Sequence, residues 1–522
     1  PNTPETLVAF LAVASLGAIW SCCSPEFAPS AVVDRFSQIS PKVLFAVTSY
    51  TYGGRRFDRR DAVGEVVRAL EDCEALIVVS GDVRPAEDAS PAVCDEHVLD
   101  WNGTVVRFDE DRKLGRALRF AEVPFLHPLW ILYSSGTTGK PKAIVQSHGG
   151  IVLEHLKAVG LQSDLGPGDR FLWFSTTGWM MWNFLIGGLL CGSDVVLYDG
   201  AVNTPDLLVL WDVCERAGVT MLGISAPLIT TYRKAGLRPR DRFPLERLRT
   251  IGSTGAPLDI AGFEWIYDAV SPDVDLVSAS GGTDVCTAFL GSSPCHPVRA
   301  GRLAARGLGA KVEVFSEDGT SVVGVVGELV ITAPMPSMPV FFWGDEDGSR
   351  LHDAYFADFP GVWRHGDFLL LHEDGSSVIY GRSDSTLNRG GIRAGTAEFY
   401  RIIEGLEGVG DAVVVDTTSL GRDGEIWCFV TLGAPDVDIA ELSEEIKRAI
   451  RRELSPRHVP DRIVVVDEIP RTLNGKKLEV PLRRILLGHD PLQVVQLEAV
   501  ANPESYRSVV AAIRRAIEQE GK

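Results

Sequence analysis

The segment that most constrains this chain is an apolar run that breaks into a loop of glycines and hydroxylated residues and then resumes as a second apolar run. It spans residues 128–148 and reads PLWILYSSGTTGKPKAIVQSH. The pattern predicts two strands with a loop held between them. Glycine lets backbone approach an anion closely, and hydroxyl and ammonium groups can donate to that anion. We therefore predict a phosphate-binding loop formed by Ser134, Ser135, Gly136, Thr137, Thr138, Gly139 and Lys142.

The spacing excludes the Walker A loop, G-x-x-x-x-G-K-[ST], which leads into a helix. Pro141 follows Lys140, position 134 is serine, and residues 143–145 predict a strand rather than a helix whose N-terminus could hold phosphate. A plain hairpin turn of glycine, serine and threonine is the other alternative. The run before Lys-Pro-Lys is longer than a turn requires, so we favour phosphate binding.

Strand and helix patterns alternate along the first half of the chain. Helices are predicted at 5–18, 63–70, 149–161 and 205–217, and strands at 43–47, 75–79, 195–198 and 248–253. This alternation predicts an α/β fold with doubly wound, mostly parallel sheets. Residues 311–380 are rich in strands and turns and predict a β subdomain. Beyond the polar, glycine-rich stretch 381–398, a helix, two strands, a helix and a strand predict a smaller α/β module.

Composition limits the possible partners. A length of 522 residues allows two or more domains, and a net charge of −19 disfavours nucleic acid and anionic membranes as partners. Screening confines such a field to about 8 Å, so local lysines and arginines could still bind ATP. The apolar run 7–20 is too short for a membrane span and lacks the flanks of a signal peptide. Nine cysteines without paired spacing indicate reduced thiols. We expect a cytoplasmic enzyme with small-molecule partners.

Two further segments combine small and charged residues. The stretch LVSASGGTDVCTAFLG contains Thr283 and Asp284, and a carboxylate beside phosphates is better suited to hold Mg²⁺ than to face the phosphates bare. The stretch WRHGDF places Asp367 just after a predicted strand, where an aspartate could simply close a turn. We expect His365, in the same stretch, to have only a neutral surface or structural role.

The loop SSGTTGKPKA resembles the signature of the adenylate-forming enzymes, which include acyl-CoA synthetases, luciferases and the adenylation domains of peptide synthetases. The resemblance covers nearly the whole chain and implies an acid-thiol ligase that uses ATP, Mg²⁺ and CoA. It also implies a large adenylation domain at 1–383 and a small, hinged and mobile C-terminal domain at 384–522. A further segment precedes this point in the family, so we expect part of the N-terminal domain to be missing.

The same resemblance implies roles for individual residues. It assigns catalysis to Lys476, Thr283 and Asp284, the metal to Asp284, AMP binding to Gly255, Ala256, Pro257, Asp367, Arg382 and Arg393, the hinge to Asp384, and the approach of CoA to Gly391. Each assignment has a simpler alternative. Residues 255–257 could be a plain strand-to-helix turn, and arginines in a linker commonly form surface ion pairs of little worth. Lys476 could be a solvated turn tip. The family generally has Thr-Glu at positions 283–284, so the shorter Asp284 is a departure.

The acyl pocket is less defined by the sequence. Trp179 and Trp182 lie in an aromatic cluster that is consistent with either core or pocket wall. In several short-chain members of the family, the position that resembles Gly281 has a bulky aromatic residue. The glycine here therefore implies a deeper pocket than acetate requires. Sequence segments such as TTGWMMWNFLIGGLL most resemble the branch of the family that activates acetoacetate. We rank acetoacetate above acetate or propionate.

Two other functions remain open at this stage. An adenylation domain that loads a carrier protein is one, although no carrier segment with a serine motif is evident in the sequence. A truncated, non-catalytic remnant is the other, although every residue that the chemistry requires is present.

Overall fold

The computed structural model describes residues 1–79, 98–101, 118–134, 141–316, 318–383, 387–389, 392–394, 396–417, 424–454, 456–473, 475–495 and 497–518. Within these ranges no helix combines the length and the apolar composition that a membrane crossing requires. The α/β class predicted from the sequence is confirmed.

A five-stranded sheet, parallel throughout, forms the centre of the large N-terminal part. Its strands lie in the order Asp194–Val195, Arg170–Trp173, Met221–Ser225, Thr250–Thr254 and Asp275–Ser278. Helices Val209–Ala217, Ala226–Lys234 and Ile260–Trp265 connect its strands and contribute to the apolar core beside them. These strands are nearly continuous apolar runs because a parallel sheet is buried on both faces.

A second sheet carries the segment that opened the sequence analysis. Its order is Trp20–Ser21, Pro128–Ser134, Lys142–Ser147 and Phe341–Phe342, and the two central strands pair antiparallel. The predicted strand pair is therefore confirmed. The connecting residues 135–140 lie outside the described residues. A third, parallel sheet contains Val43–Ala46, Ala75–Val78 and Val98–Asp100.

The predicted β subdomain is an antiparallel sheet of strands Val312–Phe315, Val326–Ile331, Trp363–Leu371 and Ser377–Arg382. It also contains a helix, Ser349–Tyr355, which the strand-and-turn pattern did not predict. This helix packs the side chain of Tyr355 into the subdomain core beside Trp363.

The C-terminal part has cores of its own. Strands Val409–Asp416, Ile426–Leu432 and Arg462–Val465 form one sheet, covered by helices Thr396–Ile403, Ile439–Glu453, Glu479–Leu486 and Pro503–Glu518. The two apolar clusters around this sheet draw only on residues from 399 onward. A boundary between residues 383 and 384 stays a prediction, since 384–386 lie outside the described residues.

The remaining elements are short or peripheral. The helices are Pro4–Ser15, Pro29–Phe36, Arg60–Ala69, His148–His155, Leu156–Gln162, Met180–Ile186, Gly187–Cys191, Pro239–Asp241, Ile266–Val270, Pro456–His458, Pro491–Val494 and Leu497–Ala499. The strands are Ser49–Tyr52, Arg55–Asp58, Ser280–Gly282, Thr287–Gly291, Ala305–Arg306, Leu387–Arg389 and Ile392–Ala394. The helix predicted at 205–217 begins only at Val209, because Asp206 closes a turn by accepting the Leu208 N–H at 2.8 Å.

Trp173 lies across two neighbouring strands of the five-stranded sheet at positions where both have glycine. A Cβ at Gly223 would lie 2.0 Å from the Trp173 ring, and a Cβ at Gly252 would lie 2.8 Å from it. Neither distance is possible between real atoms, so the two glycines make room for the indole.

We expect Gly223→Ala to lower the free energy of unfolding by about 1–3 kcal/mol, because the new methyl group overpacks the sheet. Gly64, in the middle of helix Arg60–Ala69, is the matched control, since nothing lies within 4 Å of a Cβ there. Gly64→Ala should instead add about 0.5–1 kcal/mol through helix propensity. Denaturant unfolding of both variants measures the difference. Equal stability of Gly223→Ala and the parent would contradict this packing.

Candidate active site

A cleft of about 2390 Å³ lies between the large N-terminal part and the C-terminal part, and residues of both line its wall. The predicted site residues that line it are Ser134, Lys142, Trp179, Gly255, Ala256, Pro257, Gly281, Thr283, Asp284, Asp367, Arg382 and Lys476. They come from seven separate stretches of sequence. The fold therefore brings together positions that the sequence predicted one by one.

Asp284 is a half-buried charge in this cleft, with 19% of its side chain exposed. Its Oδ1 accepts a hydrogen bond from the Tyr355 hydroxyl and lies 3.7 Å from the Lys142 ammonium. Burial by itself would raise the pKa of Asp284, but Lys142, His365 and the Tyr355 hydroxyl together hold this pKa below its ordinary value. Asp284 is therefore a carboxylate at neutral pH.

The turn that carries Thr283 and Asp284 is supported from below by a buried glutamine. Gln146 Nε2 donates to the carbonyl oxygens of both residues at 3.0 Å, and Gln146 Oε1 accepts from Trp130 Nε1 at 2.6 Å. Gln146 is fully buried. Since both Nε2 and Oε1 of Gln146 have hydrogen-bond partners, this side chain fixes the position of the turn relative to strand Lys142–Ser147.

The same turn ends in strained backbone at Cys286, whose φ is +49° in the left-handed region. His155 Nε2 lies 3.0 Å from the Cys286 carbonyl oxygen. Burial lowers the pKa of His155 to about 4, so its ring is neutral and donates this hydrogen bond. Two buried side chains thus hold the turn at both ends. Sequence reasoning missed both, because neither belongs to a recognisable motif.

Asp367 and Arg382 face each other on neighbouring antiparallel strands, with Arg382 Nη1 4.0 Å from Asp367 Oδ1. His365 Nε2 lies 3.5 Å from Asp367 Oδ2, and its ring packs edge-on against Phe289 with 4.6 Å between centroids. Burial lowers the pKa of His365, so the ring is neutral at pH 7. We expected only a surface or structural role for His365, but the structure places it in the wall of the cleft.

A buried glutamate links these two strands. Glu328 Oε1 accepts from the Gly366 N–H at 3.0 Å and from the Ser383 hydroxyl at 3.1 Å, and it lies 3.3 Å from Arg364 Nε. Ser383 N–H in turn donates to the Gly366 carbonyl oxygen at 2.8 Å. The backbone on either side of Asp367 and Arg382 is therefore fixed by one carboxylate.

Lys476 reaches this cleft from the C-terminal part. Its backbone N–H donates to Thr472 Oγ1 at 3.1 Å, its carbonyl oxygen accepts from Thr472 N–H at 2.8 Å, and its side chain remains exposed to the cleft. Desolvation and the nearby Arg382 lower the pKa of Lys476, while Asp367 and Asp284 oppose this shift. Lys476 thus lines the same cleft as both carboxylates.

The adjacent Lys477 points the other way and is anchored inside the C-terminal part. Its ammonium pairs with Glu404, lies 3.1 Å from Asp411 Oδ1, and lies 3.6 Å from the centroid of the Tyr400 ring. Only 13% of its side chain is exposed. Lys477 therefore anchors this segment to the C-terminal part, while the side chain of Lys476 remains directed at the cleft.

The turn predicted to receive the adenine follows strand Thr250–Thr254. Gly255 has a φ of +90°, a conformation that L-residues rarely adopt, and a Cβ there would lie 3.6 Å from the Trp179 ring. Ala256 and Pro257 continue the cleft wall. At the opposite wall the buried Ser134 hydroxyl has no hydrogen-bond partner among the described residues, which suits a group that awaits a ligand.

One prediction for the acyl pocket is wrong, and another stays a prediction. Trp182 is fully buried and does not line the cleft. Its Nε1 donates to Asn2 Oδ1 at 3.0 Å within the core, because helix Met180–Ile186 turns this residue away from Trp179. Gly281 does line the cleft, but a Cβ there would lie 1.9 Å from the Thr287 carbonyl oxygen. Its missing side chain therefore allows close strand pairing, and a deeper acyl pocket stays a prediction.

Several predicted residues lie outside the described residues. These are Ser135, Gly136, Thr137, Thr138 and Gly139 of the loop, the hinge residue Asp384, Gly391, and the side chain of Arg393. Their roles stay predictions.

The surroundings of Asp284 fit Mg²⁺. In the part of the chain that the structure describes, no three His, Cys, Asp or Glu side chains form a metal cage. Magnesium needs none, since it is commonly held by one or two carboxylates together with water and substrate phosphates. An ionised, enclosed Asp284 in a cleft that also contains Ser134 and Lys142 supplies that carboxylate.

Residues 1–338 match the AMP-binding enzyme family, and residues 401–476 match the AMP-binding enzyme C-terminal domain. The fold and the cleft are thus those of an AMP-binding enzyme. The chain is 43% identical to acetoacetyl-coenzyme A synthetase of Rhizobium meliloti (strain 1021) over 510 residues, which are 97% of this chain and 76% of that protein. It is 40% identical to acetoacetyl-CoA synthetase of Danio rerio over 508 residues, 97% of this chain and 74% of that one.

A solved structure, acetoacetyl-CoA synthetase from Streptomyces lividans, superimposes with a TM-score of 0.88 at 44% identity, covering 99% of this chain and 77% of that chain. The chain belongs to the acetoacetyl-CoA synthetase family.

We expect Gln146→Leu to reduce turnover about tenfold or more, since it leaves two carbonyl groups of the turn and the Trp130 N–H without their partner. The affinity for the acid should change less than turnover, because Gln146 does not itself line the cleft. Steady-state kinetics measure both quantities. Asn502→Leu is a suitable control, because the Asn502 amide also donates to a carbonyl oxygen, that of Ile469 at 3.0 Å, and accepts from the Arg471 N–H at 2.9 Å, but does not line the cleft. Equal loss in the two variants would contradict a specific role for Gln146.

Proposed function

We propose that this protein ligates acetoacetate to CoA in two steps, with ATP converted to AMP and pyrophosphate. Membership of the acetoacetyl-CoA synthetase family supports the reaction. The observation that carries the mechanism is the position of Lys476, which lies in the C-terminal part and yet lines the same cleft as Asp284, Asp367 and Arg382.

The first step activates the acid. An oxygen of the substrate carboxylate attacks the α-phosphorus of ATP, the bond to the bridging oxygen breaks, and pyrophosphate leaves with its electron pair. The product is a mixed anhydride of the acid and AMP. The second step transfers the acyl group: the CoA sulfur attacks the acyl carbon, AMP leaves with the anhydride oxygen, and the thiol proton goes to solvent or a nearby base.

The residues of this chain hold two anions together while negative charge grows on the α-phosphoryl group. Lys476 and Arg382 provide positive charge at that point, and Lys142 with the loop 135–140 provides it for the outer phosphates. A unit charge about 4 Å from another contributes roughly 4 kcal/mol at an effective dielectric of about 20. Mg²⁺ held by Asp284 would neutralise phosphate charge and act as a Lewis acid.

Asp367 is the proposed acceptor for the two ribose hydroxyls, because an ionised carboxylate offers both oxygens to a diol. Arg382 on the next strand, with its Nη1 4.0 Å from Asp367 Oδ1, helps to hold this carboxylate in place. Gly255, Ala256 and Pro257 would present backbone to the adenine, with Trp179 beside Gly255.

The C-terminal part carries Lys476 and must leave if a second substrate is to approach the same acyl carbon. We propose that residues 384–522 form the moving domain, that Asp384 is the hinge, and that Gly391 then lies near CoA. In the orientation seen here, Lys234 Nζ donates to the Gly410 carbonyl oxygen at 2.9 Å. This exposed contact joins helix Ala226–Lys234 to strand Val409–Asp416 and is weak enough to be broken and remade.

The choice of acid follows from the relatives, since three of them are acetoacetyl-CoA synthetases. The wall around Trp179 and Met181 is apolar and suits a short acid with no second charge. A cytoplasmic location is part of the same proposal. It is supported by the cysteines of the described part, all eight of which are free thiols.

We expect Lys476→Ala to slow acetoacetate-dependent exchange of pyrophosphate into ATP by about 100-fold, because it removes a cation from the developing charge. Attack of CoA on acyl-adenylate supplied from outside should change little, since the lysine has left by then. Lys447→Ala, on the exposed face of helix Ile439–Glu453, is the matched lysine control. Equal loss in both half-reactions would contradict the proposed role.

We expect AMP release in the presence of ATP and CoA to be fastest with acetoacetate among acetoacetate, acetate, propionate and longer acids. The measurement is the specificity constant kcat/KM for each acid. Fastest turnover of acetate would reject acetoacetate as the substrate and leave the two-step mechanism standing. No AMP release with any acid would favour a non-catalytic remnant.

A further inference from the structure

We infer that Tyr355 is a positioning residue for Asp284: its hydroxyl holds one carboxylate oxygen so that the other is presented to Mg²⁺. This inference rests on the proposed metal role of Asp284. Tyr355 belongs to helix Ser349–Tyr355, which no sequence motif pointed to, and nothing in the two-step mechanism yet uses it.

The two oxygens of Asp284 have different surroundings. Oδ1 accepts the hydrogen bond from Tyr355 and is also the oxygen nearest the Lys142 ammonium, at 3.7 Å. Oδ2 lies on the side of Gly282, where an added Cβ would be 3.4 Å away. Gly282 lines the cleft and has no side chain to cover this oxygen. The carboxylate thus has an occupied side and an open side.

The ring of Tyr355 has little freedom to turn. It stacks on Trp363 with 3.6 Å between centroids and 12° between planes, and it meets Phe342 edge-on at 5.7 Å. Only 5% of the residue is exposed. Because the ring is fixed by aromatic neighbours, the direction of its hydroxyl is fixed as well.

The charges around Tyr355 favour one hydrogen-bond direction. Lys142 Nζ lies 5.0 Å from the centroid of the Tyr355 ring, so the same ammonium faces both the ring and Asp284. The Tyr355 hydroxyl is the donor, because the carboxylate oxygen of Asp284 accepts. The carboxylate is thus held by a neutral group that does not compete with a metal for charge.

The experiment compares the parent protein with Tyr355→Phe, which keeps the stacked ring and removes only the hydroxyl. Isothermal titration calorimetry measures ATP affinity once with Mg²⁺ and once with EDTA. We expect the factor by which Mg²⁺ tightens ATP binding to fall about tenfold, because a hydrogen bond to a charged group is lost. The affinity for metal-free ATP should stay within about twofold, since Tyr355 fixes the carboxylate and not the nucleotide.

Tyr506→Phe controls for the loss of a buried hydroxyl as such. Tyr506 donates to the Pro491 carbonyl oxygen at 2.9 Å in the C-terminal part and does not line the cleft. We expect it to leave both ATP affinities unchanged. If Tyr355→Phe weakens metal-free and metal-bound ATP by the same factor, its role is structural and the inference is overturned.

Two further variants separate this inference from the function on which it rests. Asp284→Asn should abolish the effect of Mg²⁺; if the effect persists, the proposed metal role of Asp284 is wrong, and the inference falls with it. If Asp284→Asn abolishes the effect while Tyr355→Phe retains the parent factor, the inference alone is overturned. In an Asp284→Glu background, where the carboxylate stands further from the hydroxyl, Tyr355→Phe should cost less than about twofold.

Discussion

A carboxylate enclosed by protein must be compensated, and the compensation of Asp284 determines how the large part of this molecule is arranged. Lys142 comes from the strand that follows the glycine-rich loop, Tyr355 from a helix inside the β subdomain, and Gln146 supports the turn from beneath. The strand Lys142–Ser147, the helix with Tyr355 and the turn with Asp284 are remote in sequence and must therefore meet at one point. Because the cost of leaving this charge unpaired is several kcal/mol, the position of each element is tied to the others.

The C-terminal part adds a charge that is held differently. Lys477 is secured by Glu404 and Asp411 within its own core, whereas Lys476 is exposed to the cleft. Adjacent residues of an extended segment point in opposite directions, so one can be fixed while its neighbour is offered outward. A cation supplied in this way can be withdrawn with its domain without disturbing the large part, whereas Lys142 cannot be.

Local patterns were enough to predict much of the fold. The strand pair around residues 135–140, the parallel sheet and the C-terminal α/β module follow from apolar runs, glycine-rich turns and helical periodicity, which depend on neighbouring residues. Tyr355 and Gln146 were missed because their partners lie 71 and 137 residues away, a distance at which no spacing rule applies. Trp182 was misplaced for a related reason: which side of a short helix faces the core is decided by tertiary packing.

The indole of Trp173, seated over Gly223 and Gly252, also forms part of the cleft wall. An aromatic ring wedged against the backbone of two strands cannot retreat unless the sheet itself distorts. The part of the cleft wall formed by Trp173 is therefore rigid, and a larger acid would have to displace Trp179 instead. Substitutions that change the preferred acid during the divergence of such proteins should therefore accumulate around Trp179 and leave Trp173 in place.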